Sequence, residues 1–267
     1  MKQFSYITAL GLLAALVIGC SEEGSDSKFQ NDDFITIEAT VINDTTNTAI
    51  STWYNGTYLP KIMEYSGLKG VRRIKTIVAA PLPPTSPNVD FLPGYLTIFM
   101  ASTKDELLGM PVSAKAVEAN SDMTTQWPNG EIARSWNVSY EKLKSWENNG
   151  ADKPMQFITM VSTVAAAGYE DAVNDWEINK HVPDHMQSEK LSRVVRYKKI
   201  SGTGAEVSGM PDYIELFYYA DQASFDGHNP NNDVFFKAAE EDRAATWQNG
   251  ELDVPWVYSG SIEAEVE

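Results

Sequence analysis

The sequence predicts an α+β fold in which two copies of a β-α-β-β-α-β unit pack sheet against sheet and close into one barrel. The first observation behind this prediction is an internal repeat that relates the two halves of the chain. The second is that strand-like and helix-like patterns follow one another in the same order in both halves. The third is physical: a sheet with helices on one face must bury its other face, and two such sheets can bury theirs against each other.

The internal repeat is visible as direct similarity between the halves. FITIEATV at 34–41 aligns with FITMVSTV at 157–164, and the same shift holds without a gap as far as Ile77. A small change in the shift then aligns Trp127 with Trp247. The spacing of the identities indicates an ancient duplication.

Each half carries four strand patterns and two helix patterns in the order of a ferredoxin-like split β-α-β unit. β-Branched and aromatic runs predict the strands, and apolar residues at helical spacing predict the helices. Pro111 is expected to interrupt the second helix of the first half. The predicted elements of the first half are FITIEATVI, TNTAISTWYNGTYLPKIMEYSG, KGVRRIKTIVA, GYLTIFMA, DELLGMPVSAKAVEANSDM and IARSWNVSYEKL. Those of the second half are QFITMVSTVA, YEDAVNDWEINKHVPDHMQSE, LSRVVRYKKI, PDYIELFYY, NNDVFFKAAEEDRAAT and VPWVYSGSIEAEV.

The N-terminus predicts an export signal. An apolar run from Ile7 to Ile18 has the length of a signal-peptide core and is too short to span a bilayer. It leads into Val-Ile-Gly-Cys, which resembles the lipobox of bacterial lipoproteins, where the chain is cut before a cysteine that then carries lipid. The resemblance implies a lipid on Cys20 and a place in the cell envelope, at the periplasmic face or the outer-membrane surface. The alternative is an ordinary secretory signal with a chance cysteine.

The domain organisation follows from these patterns. The polar, acidic stretch SEEGSDSKFQNDD after Cys20 predicts a disordered tether, and it resembles the surface-export signals of Bacteroidetes lipoproteins. The predicted order is a signal peptide at 1–19, the tether at 20–33, a first repeat at 34–146, a linker at 147–154 and a second repeat at 155–267.

Composition narrows the function classes. The formal net charge is −16, which disfavours nucleic acid as a partner because binding to phosphates depends on Lys and Arg. Cys20 is the only cysteine, so the chain has no internal disulfide and no thiolate metal cluster. A duplicated chain forms its own pseudo-dimer, so a monomer is expected.

One motif in the second half resembles a known family. DWEINKHVPDHM followed by SRVVRYKKI is similar to the EthD-like branch of the dimeric α+β-barrel superfamily, and TWYNGTYLPKIM followed by KGVRRIKTI is a weaker version. The resemblance covers both halves and implies a cavity between sheet and first helix in each. It also implies that the histidine of His-x-Pro, here His181, faces the cavity, whereas Tyr58 stands at that position in the first half. The superfamily includes cofactor-free monooxygenases, isomerases, dehydratases and haem enzymes, and a shared fold does not choose among them.

His181 is the candidate catalytic residue, because a neutral imidazole can accept a proton from a phenol, an enol or an activated C–H and return it. The alternative is a hydrogen-bonded structural histidine. The candidate substrate-binding residues are Trp176, Arg196, Tyr213, Tyr58 and Trp53. A strand arginine can hold a carboxylate at two points, but a structural ion pair is the more common role.

A metal site is considered and not predicted. His181 and His185 are four residues apart, which places them on one face of a continuous helix. However, Pro183 lies between them, and His185 aligns with Ile62, which indicates a packing position. No cofactor is predicted, although a haem held by His181 alone stays open. His228 lies in the turn-rich DGHNPNND and is expected to be exposed.

A doubled motif, QWPNGEIARSW and TWQNGELDVPW, has two interpretations. A Glu buried beside Trp could act as an acid at a pocket mouth. Alternatively, Asn-Gly turns the chain from the second helix into the last strand, and the tryptophans pack around that turn. The structural interpretation is favoured because the motif occurs in both halves, whereas the histidine does not.

The leading functional hypothesis is a small-molecule enzyme that binds an apolar or aromatic compound in the second half. Isomerisation, dehydration and cofactor-free oxygenation are all open as reactions. The alternatives are a non-catalytic lipoprotein that binds a ligand or partner, and a structural lipoprotein with a filled barrel. A second ionisable group within reach of His181 would favour the enzyme.

Overall fold

The computed structural model describes residues 32–42, 47–80, 94–148, 154–200, 210–255 and 257–267. The predicted signal peptide, Cys20 and the tether before Asp32 lie outside these ranges, as does most of the predicted linker. No helix within the described ranges is both long and apolar enough to cross a membrane.

The first half has the predicted order of elements. Its strands are β1 (Phe34–Ile42), β2 (Gly70–Ala80), β3 (Tyr95–Ala101) and β4 (Ile132–Glu147). Its helices are α1 (Asn47–Trp53), a π-helical turn (Tyr54–Tyr58), α2 (Leu59–Met63), α3 (Lys104–Gly109), a 3₁₀ turn (Met110–Val112) and α4 (Ala114–Gln126). The interruption predicted at Pro111 is therefore confirmed, since Pro111 lies in the 3₁₀ turn between α3 and α4.

The second half repeats the order of the first and adds one short strand, β8, before the last strand. Its strands are β5 (Phe157–Ala165), β6 (Arg193–Lys199), β7 (Tyr213–Tyr219), the short β8 (Leu252–Asp253) and β9 (Val257–Val266). Its helices are α5 (Glu170–Trp176), a π-helical turn (Glu177–His181), α6 (Val182–His185), α7 (Gln222–Gly227) and α8 (Val234–Thr246). The sequence patterns missed α7, which precedes His228.

Eight of these strands close into a barrel. The antiparallel order is β7-β6-β4-β1-β3-β2-β9-β5, and β5 pairs with β7 to complete the ring. The halves meet at two seams, where β4 pairs with β6 and β2 pairs with β9. At the second seam, a Cβ on Gly260 would lie 2.4 Å from the carbonyl oxygen of Lys75, so the close approach of β9 to β2 requires glycine there.

The interior of the barrel is an apolar core supplied by both halves. Alternate residues of the strands point inward, because successive side chains in a strand lie on opposite faces. Ile35 and Ile37 of β1 meet Ile158 of β5 and Leu216 of β7 in one buried cluster. The other face of each half-sheet is covered by that half's helices, which form separate clusters with it. The α+β barrel predicted from the repeat is therefore confirmed.

The doubled Asn-Gly-Glu motif forms the same turn in both halves. Gly130 and Gly250 have φ angles of +76° and +83°, a region that favours glycine. The backbone N–H of Asn129 donates to the carboxylate of Glu131 at 2.9 Å, and Asn249 donates in the same way to Glu251 at 2.9 Å. The structural interpretation of this motif is confirmed, because both glutamates are used to hold the turn.

One end of the barrel contains a buried ion pair. The carboxylate of Asp32 accepts two hydrogen bonds from the guanidinium of Arg193 at 2.8 and 3.2 Å. Lys142 donates to it at 3.0 Å, and the Tyr197 hydroxyl also donates at 3.0 Å. Burial alone would raise the pKa of Asp32, but the charges of Arg193 and Lys142 outweigh burial and hold the pKa below its usual range.

The Asp32 ion pair makes stability depend on acidity. Because the folded-state pKa is depressed, its stabilising contribution is present above the unfolded pKa of about 4 and is lost as pH falls through the folded value. We expect Asp32→Asn to lower the free energy of unfolding at pH 7 by about 3 kcal/mol, since it removes the buried carboxylate from Arg193 and leaves that guanidinium with the exposed carboxylate of Glu147. The deficit should shrink below about pH 4, where the wild type loses the same charge.

Urea denaturation at pH 7 and pH 3 measures both effects. Asp33→Asn is the matched control, because Asp33 is its partly exposed neighbour and also contacts Lys142. Equal effects of the two substitutions at pH 7 would contradict the role of Asp32.

Candidate functional site

A cavity of about 420 Å³ lies in the second half, between the outer face of the sheet and the helices. Its body is apolar and is formed largely by side chains from strands, the β8–β9 segment and α8. These apolar residues are Val161, Phe217, Pro230, Phe236, Val254 and Val257. Most of the ionisable side chains in the lining gather on the helix side, and they are Glu177, His181, His185, His228, Glu240 and Arg243. Glu215 lines the cavity from the sheet. The cavity implied for the second half by the family resemblance is therefore present.

His181 and His185 lie side by side in this cavity, with ring centroids 4.7 Å apart. The chain passes from a π-helical turn that ends at His181 directly into α6. Pro183 is in the first turn of α6, where a missing N–H is tolerated, so it does not separate the two rings. The expectation that Pro183 disrupts this face was wrong for that reason, and His185 lines the cavity instead of serving only as packing.

Glu240 of α8 faces both imidazoles. Its Oε1 lies 3.7 Å from Nε2 of His181 and 3.6 Å from Nε2 of His185. Its Oε2 accepts hydrogen bonds from Nε and Nη2 of Arg243 at 2.9 and 2.8 Å. Burial alone would raise the pKa of Glu240, but His185 and the charge of Arg243 lower it to about 2, so the carboxylate is ionised.

His228 is part of the same cluster, and the expectation that it is exposed was wrong. Its side chain is buried because α7 and the following turns bring it back over the sheet. Its Nε2 lies 3.4 Å from Nδ1 of His185, and its Nδ1 lies 3.0 Å from the hydroxyl of Tyr219. Burial and the neighbouring His185 lower the pKa of His228 to about 3, so its ring is neutral.

His181 is nearly fully buried and neutral. Burial and the adjacent His185 lower its pKa to about 3. Its ring stacks on Trp176 with centroids 4.5 Å apart, and among the described residues its Nδ1 has no hydrogen-bond partner. Trp176 in turn donates from Nε1 to Asp242 at 3.3 Å. An imidazole with so low a pKa is a weak proton acceptor, although its lone pair stays available.

Glu177 is the ionisable group with the pKa best suited to exchange protons near neutral pH. It lies one helical turn before His181, faces the cavity and is 2% exposed. Burial raises its pKa to about 7, against the opposing charge of Arg196. A general acid or base works best when its pKa lies near the working pH.

Three residues predicted to bind substrate lie behind the cavity wall. Arg196 is fully buried, is ion-paired with Glu215 and donates to Asn174 at 3.0 Å. Its guanidinium also lies 4.7 Å from the ring centre of Tyr213. Arg196 and Tyr213, like Trp176, are absent from the cavity lining, so Arg196 supports the wall and is not free to hold a substrate anion.

The first half places tyrosines where the second half has its ionisable groups. Tyr54 and Tyr58 align with Glu177 and His181, and their buried rings lie 4.5 Å apart. The Tyr58 hydroxyl donates to Asn120 at 3.0 Å. Trp53 packs against Tyr58 with ring centroids 5.8 Å apart. The substrate-binding roles predicted for Tyr58 and Trp53 thus correspond to packed aromatic side chains, and the ionisable cluster belongs to the second half.

The donor set does not fit a haem with His181 as its axial ligand. An iron bound to Nε2 would carry a flat macrocycle across the space beside that nitrogen. The carboxylate of Glu240 and the ring of His185 already lie there. The haem left open by the sequence is therefore not supported by this geometry.

Comparisons with known proteins identify the fold. No family model matches the sequence, and no curated protein matches it either. An anthrone oxidase-like protein of solved structure is 12% identical with a TM-score of 0.54, over 88% of this chain and 93% of that one. A protein from Fusobacterium nucleatum, described provisionally as a monooxygenase, is 10% identical with a TM-score of 0.52, over 86% and 92%.

A variant of chlorite dismutase from Candidatus Nitrospira defluvii is 9% identical with a TM-score of 0.53, over 88% of this chain and 92% of that one. At such identities the likeness shows the fold alone. The fold is that of the dimeric α+β barrels, built here within one chain. The narrower EthD-like assignment stays a prediction.

The raised pKa of Glu177 makes a testable contribution to stability. The unfolded chain releases this proton near pH 4.5 and the folded chain near pH 7, so the wild type loses stability as pH rises through that window. Glu177→Gln cannot ionise. We expect it to gain about 3 kcal/mol relative to wild type between pH 4 and pH 8, at about 1.4 kcal/mol per pKa unit.

Urea denaturation at the two pH values measures this difference. Glu241→Gln, at an exposed position of α8, is the control and should change stability by less than about 0.5 kcal/mol. A Glu177→Gln difference that is the same at pH 4 and pH 8 would show that Glu177 does not titrate as described.

Proposed function

We propose that the protein is a small-molecule enzyme that binds an apolar or aromatic compound in the cavity of the second half and transfers a proton there. The observation that carries this proposal is the gathering of six ionisable side chains on one side of a cavity whose remaining lining is largely apolar. Buried ionisable groups are costly to maintain, and in a cavity they mark a candidate site for chemistry. Glu240 is a second ionisable group close to His181, and such a group favours an enzyme over a simple binder.

We assign a role to each side chain from its protonation state. Glu177 accepts or donates the proton, because a carboxyl of pKa about 7 is present in both forms near neutral pH. His181 contacts the polar group of the substrate as a neutral imidazole. The apolar walls formed by Val161, Phe217 and Phe236 hold the body of the compound and keep water away from the proton transfer.

The structural neighbours are consistent with this assignment. Two of those compared are described as anthrone oxidase-like and, provisionally, as a monooxygenase. Isomerisation, dehydration and cofactor-free oxygenation all need a proton moved at a small organic molecule, and the cavity serves each of them. A purely structural protein with a filled barrel would not need this space beside the sheet.

We place the enzyme in the cell envelope, anchored by lipid on Cys20. The support is the sequence Val-Ile-Gly-Cys after an apolar run that is too short to span a bilayer. The chain is expected to act there as a monomer, because both halves of the barrel come from one polypeptide.

Substitution of Cys20 tests the anchor. The full-length chain is expected in the detergent-soluble membrane fraction of a bacterial host, and Cys20→Ser is expected to abolish incorporation of labelled fatty acid. Ser21→Ala, next to it, is the control and should keep the label. An unlabelled wild type in a host that labels another lipoprotein would refute the anchor.

Substitution in the cavity tests the enzyme. A thermal-shift screen of small aromatic and apolar compounds first identifies a ligand, because any ligand of the folded state raises the unfolding temperature. On a compound that is turned over, Glu177→Gln is expected to lower kcat by about 10²- to 10⁴-fold, the usual contribution of a general acid or base. His181→Gln is expected to lower kcat/KM.

Glu251→Gln is the matched control, since this glutamate lies outside the cavity and holds the Asn-Gly turn. It should leave turnover unchanged. Full turnover by both Glu177→Gln and His181→Gln would exclude the proposed chemistry, and ligand binding without turnover of any screened compound would favour a binding protein.

A further inference from the structure

Three potential ligand atoms converge on one point of the cavity. One ring nitrogen of His181, one ring nitrogen of His185 and one carboxylate oxygen of Glu240 all lie within 4.8 Å of one another. The two N···O separations of 3.6 and 3.7 Å are longer than a hydrogen bond. Ligands about 2.0–2.1 Å from one tetrahedral ion lie about 3.3 Å apart, so these two N···O separations need to shorten by only a few tenths of an ångström.

The carboxylate is held in an orientation suited to one metal bond. Arg243 occupies Oε2 of Glu240 through two N–H groups, which leaves Oε1 directed at the imidazoles. The guanidinium charge reduces the attraction for a cation, but it fixes the ligand before binding. Carboxylate ligands in metal sites are commonly held by such outer hydrogen bonds.

A chain of hydrogen bonds through His228 orients the imidazole of His185, as Arg243 orients the carboxylate of Glu240. If His185 donates from Nδ1 to Nε2 of His228, then His228 donates from Nδ1 to the Tyr219 hydroxyl. In that tautomer Nε2 of His185 carries no proton and points its lone pair at the carboxylate. A bound cation would select this tautomer over the one whose Nε2–H faces Glu240, because a metal ligand must be unprotonated. Two groups of negative electrostatic potential facing each other are stable when a cation lies between them.

We propose that His181, His185 and Glu240 bind a first-row divalent cation, with His228 and Arg243 orienting its ligands. Two imidazoles and one carboxylate form a ligand set suited to Zn²⁺, Fe²⁺ or Co²⁺. Three protein ligands leave at least one position on the cation, and it opens toward the apolar cavity. The substrate class is thereby narrowed to apolar molecules with a carbonyl, enol or phenol oxygen that can take that position.

This inference rests on the proposed function for its substrate class, but the cation site itself does not. With the cation bound, the Nε2 lone pair of His181 is engaged, so His181 is a ligand. Proton transfer is then left to Glu177, which is outside the ligand set. The first half lacks the site, because Tyr58, Ile62 and Asn120 stand at the aligned positions.

Titration with Co²⁺ tests the site in the absence of substrate. The probe is added to chelator-treated full-length chain carrying Cys20→Ser, so that the only thiol cannot bind it. One Co²⁺ per chain is expected, with the intense visible absorption of a four- or five-coordinate ion. His185→Gln and Glu240→Gln should each weaken binding by about 100-fold or more, and His228→Gln by about 10- to 100-fold.

Glu241→Gln is the control because it removes a carboxylate from the next position of α8, outside the cavity. It should bind Co²⁺ as the parent does. Circular dichroism without the metal establishes that each variant is folded, and Glu240→Gln preserves the shape of the side chain. No stoichiometric binding by the parent, or binding unchanged by all three substitutions, would overturn the site.

The outcome also separates this inference from the proposed function. Turnover of a substrate by a chain that binds no Co²⁺ and is insensitive to chelator retains the function and removes the cation. Tight binding that depends on the three ligands, in a chain that converts none of the screened compounds, supports the site and counts against the proposed enzyme.

Discussion

The pairing of β2 with β9 and of β4 with β6 closes eight strands into a barrel. This closure buries the inner face of the sheet and leaves the outer face to pack against the helices. The inner faces of both halves contribute buried side chains to one shared core. Among the described residues, the cavity lies outside the barrel, between the sheet and its helices. The cavity found there is bounded by strand residues such as Thr159 and Phe217 and by helix residues such as His181 and Glu240.

The two halves use this outer layer differently. In the first half, buried aromatic rings fill the interface between helix and sheet, as Tyr54 and Tyr58 do. In the second half, smaller or ionisable side chains replace them and leave a space. A duplicated fold permits this division, because the shared core and the two seams stabilise both halves, and one half can carry costly buried ionisable groups. The turns at Gly130 and Gly250 stay alike since they serve the fold and not the cavity.

The repeat and the strand and helix patterns were sufficient to predict the fold, because apolar periodicity and turn residues act locally. The resemblance of DWEINKHVPDHM to a known motif was also sufficient to predict that His181 faces a cavity. The sequence patterns could not assign His228, because its burial depends on α7 and on the way the chain returns over β7. They misjudged His185, since the effect of Pro183 depends on its exact place in a helix that includes a π turn.

Glu177 and Glu240 received no role from the sequence for a related reason. Both are charged residues on helices, where most such side chains are exposed to solvent. The full burial of Glu177 and the partial burial of Glu240 result from packing among the π-helical turn after α5, α8 and the sheet. Arg196 shows the same limit: the sequence named it as a substrate-binding candidate and a structural ion pair as its more common role. The partner in that ion pair, Glu215, is on a neighbouring strand and is visible only in the folded register.

The position of Asp32 has a mechanical consequence. This residue precedes β1, and its carboxylate is held inside the barrel by Arg193 of β6, Lys142 of β4 and Tyr197 of β6. Tension applied to the chain before Asp32 would meet this cluster before it reached the hydrogen bonds of β1. Because the cluster joins strands from both halves across the β4–β6 seam, the load would be shared between the two repeats instead of peeling the first strand from the sheet.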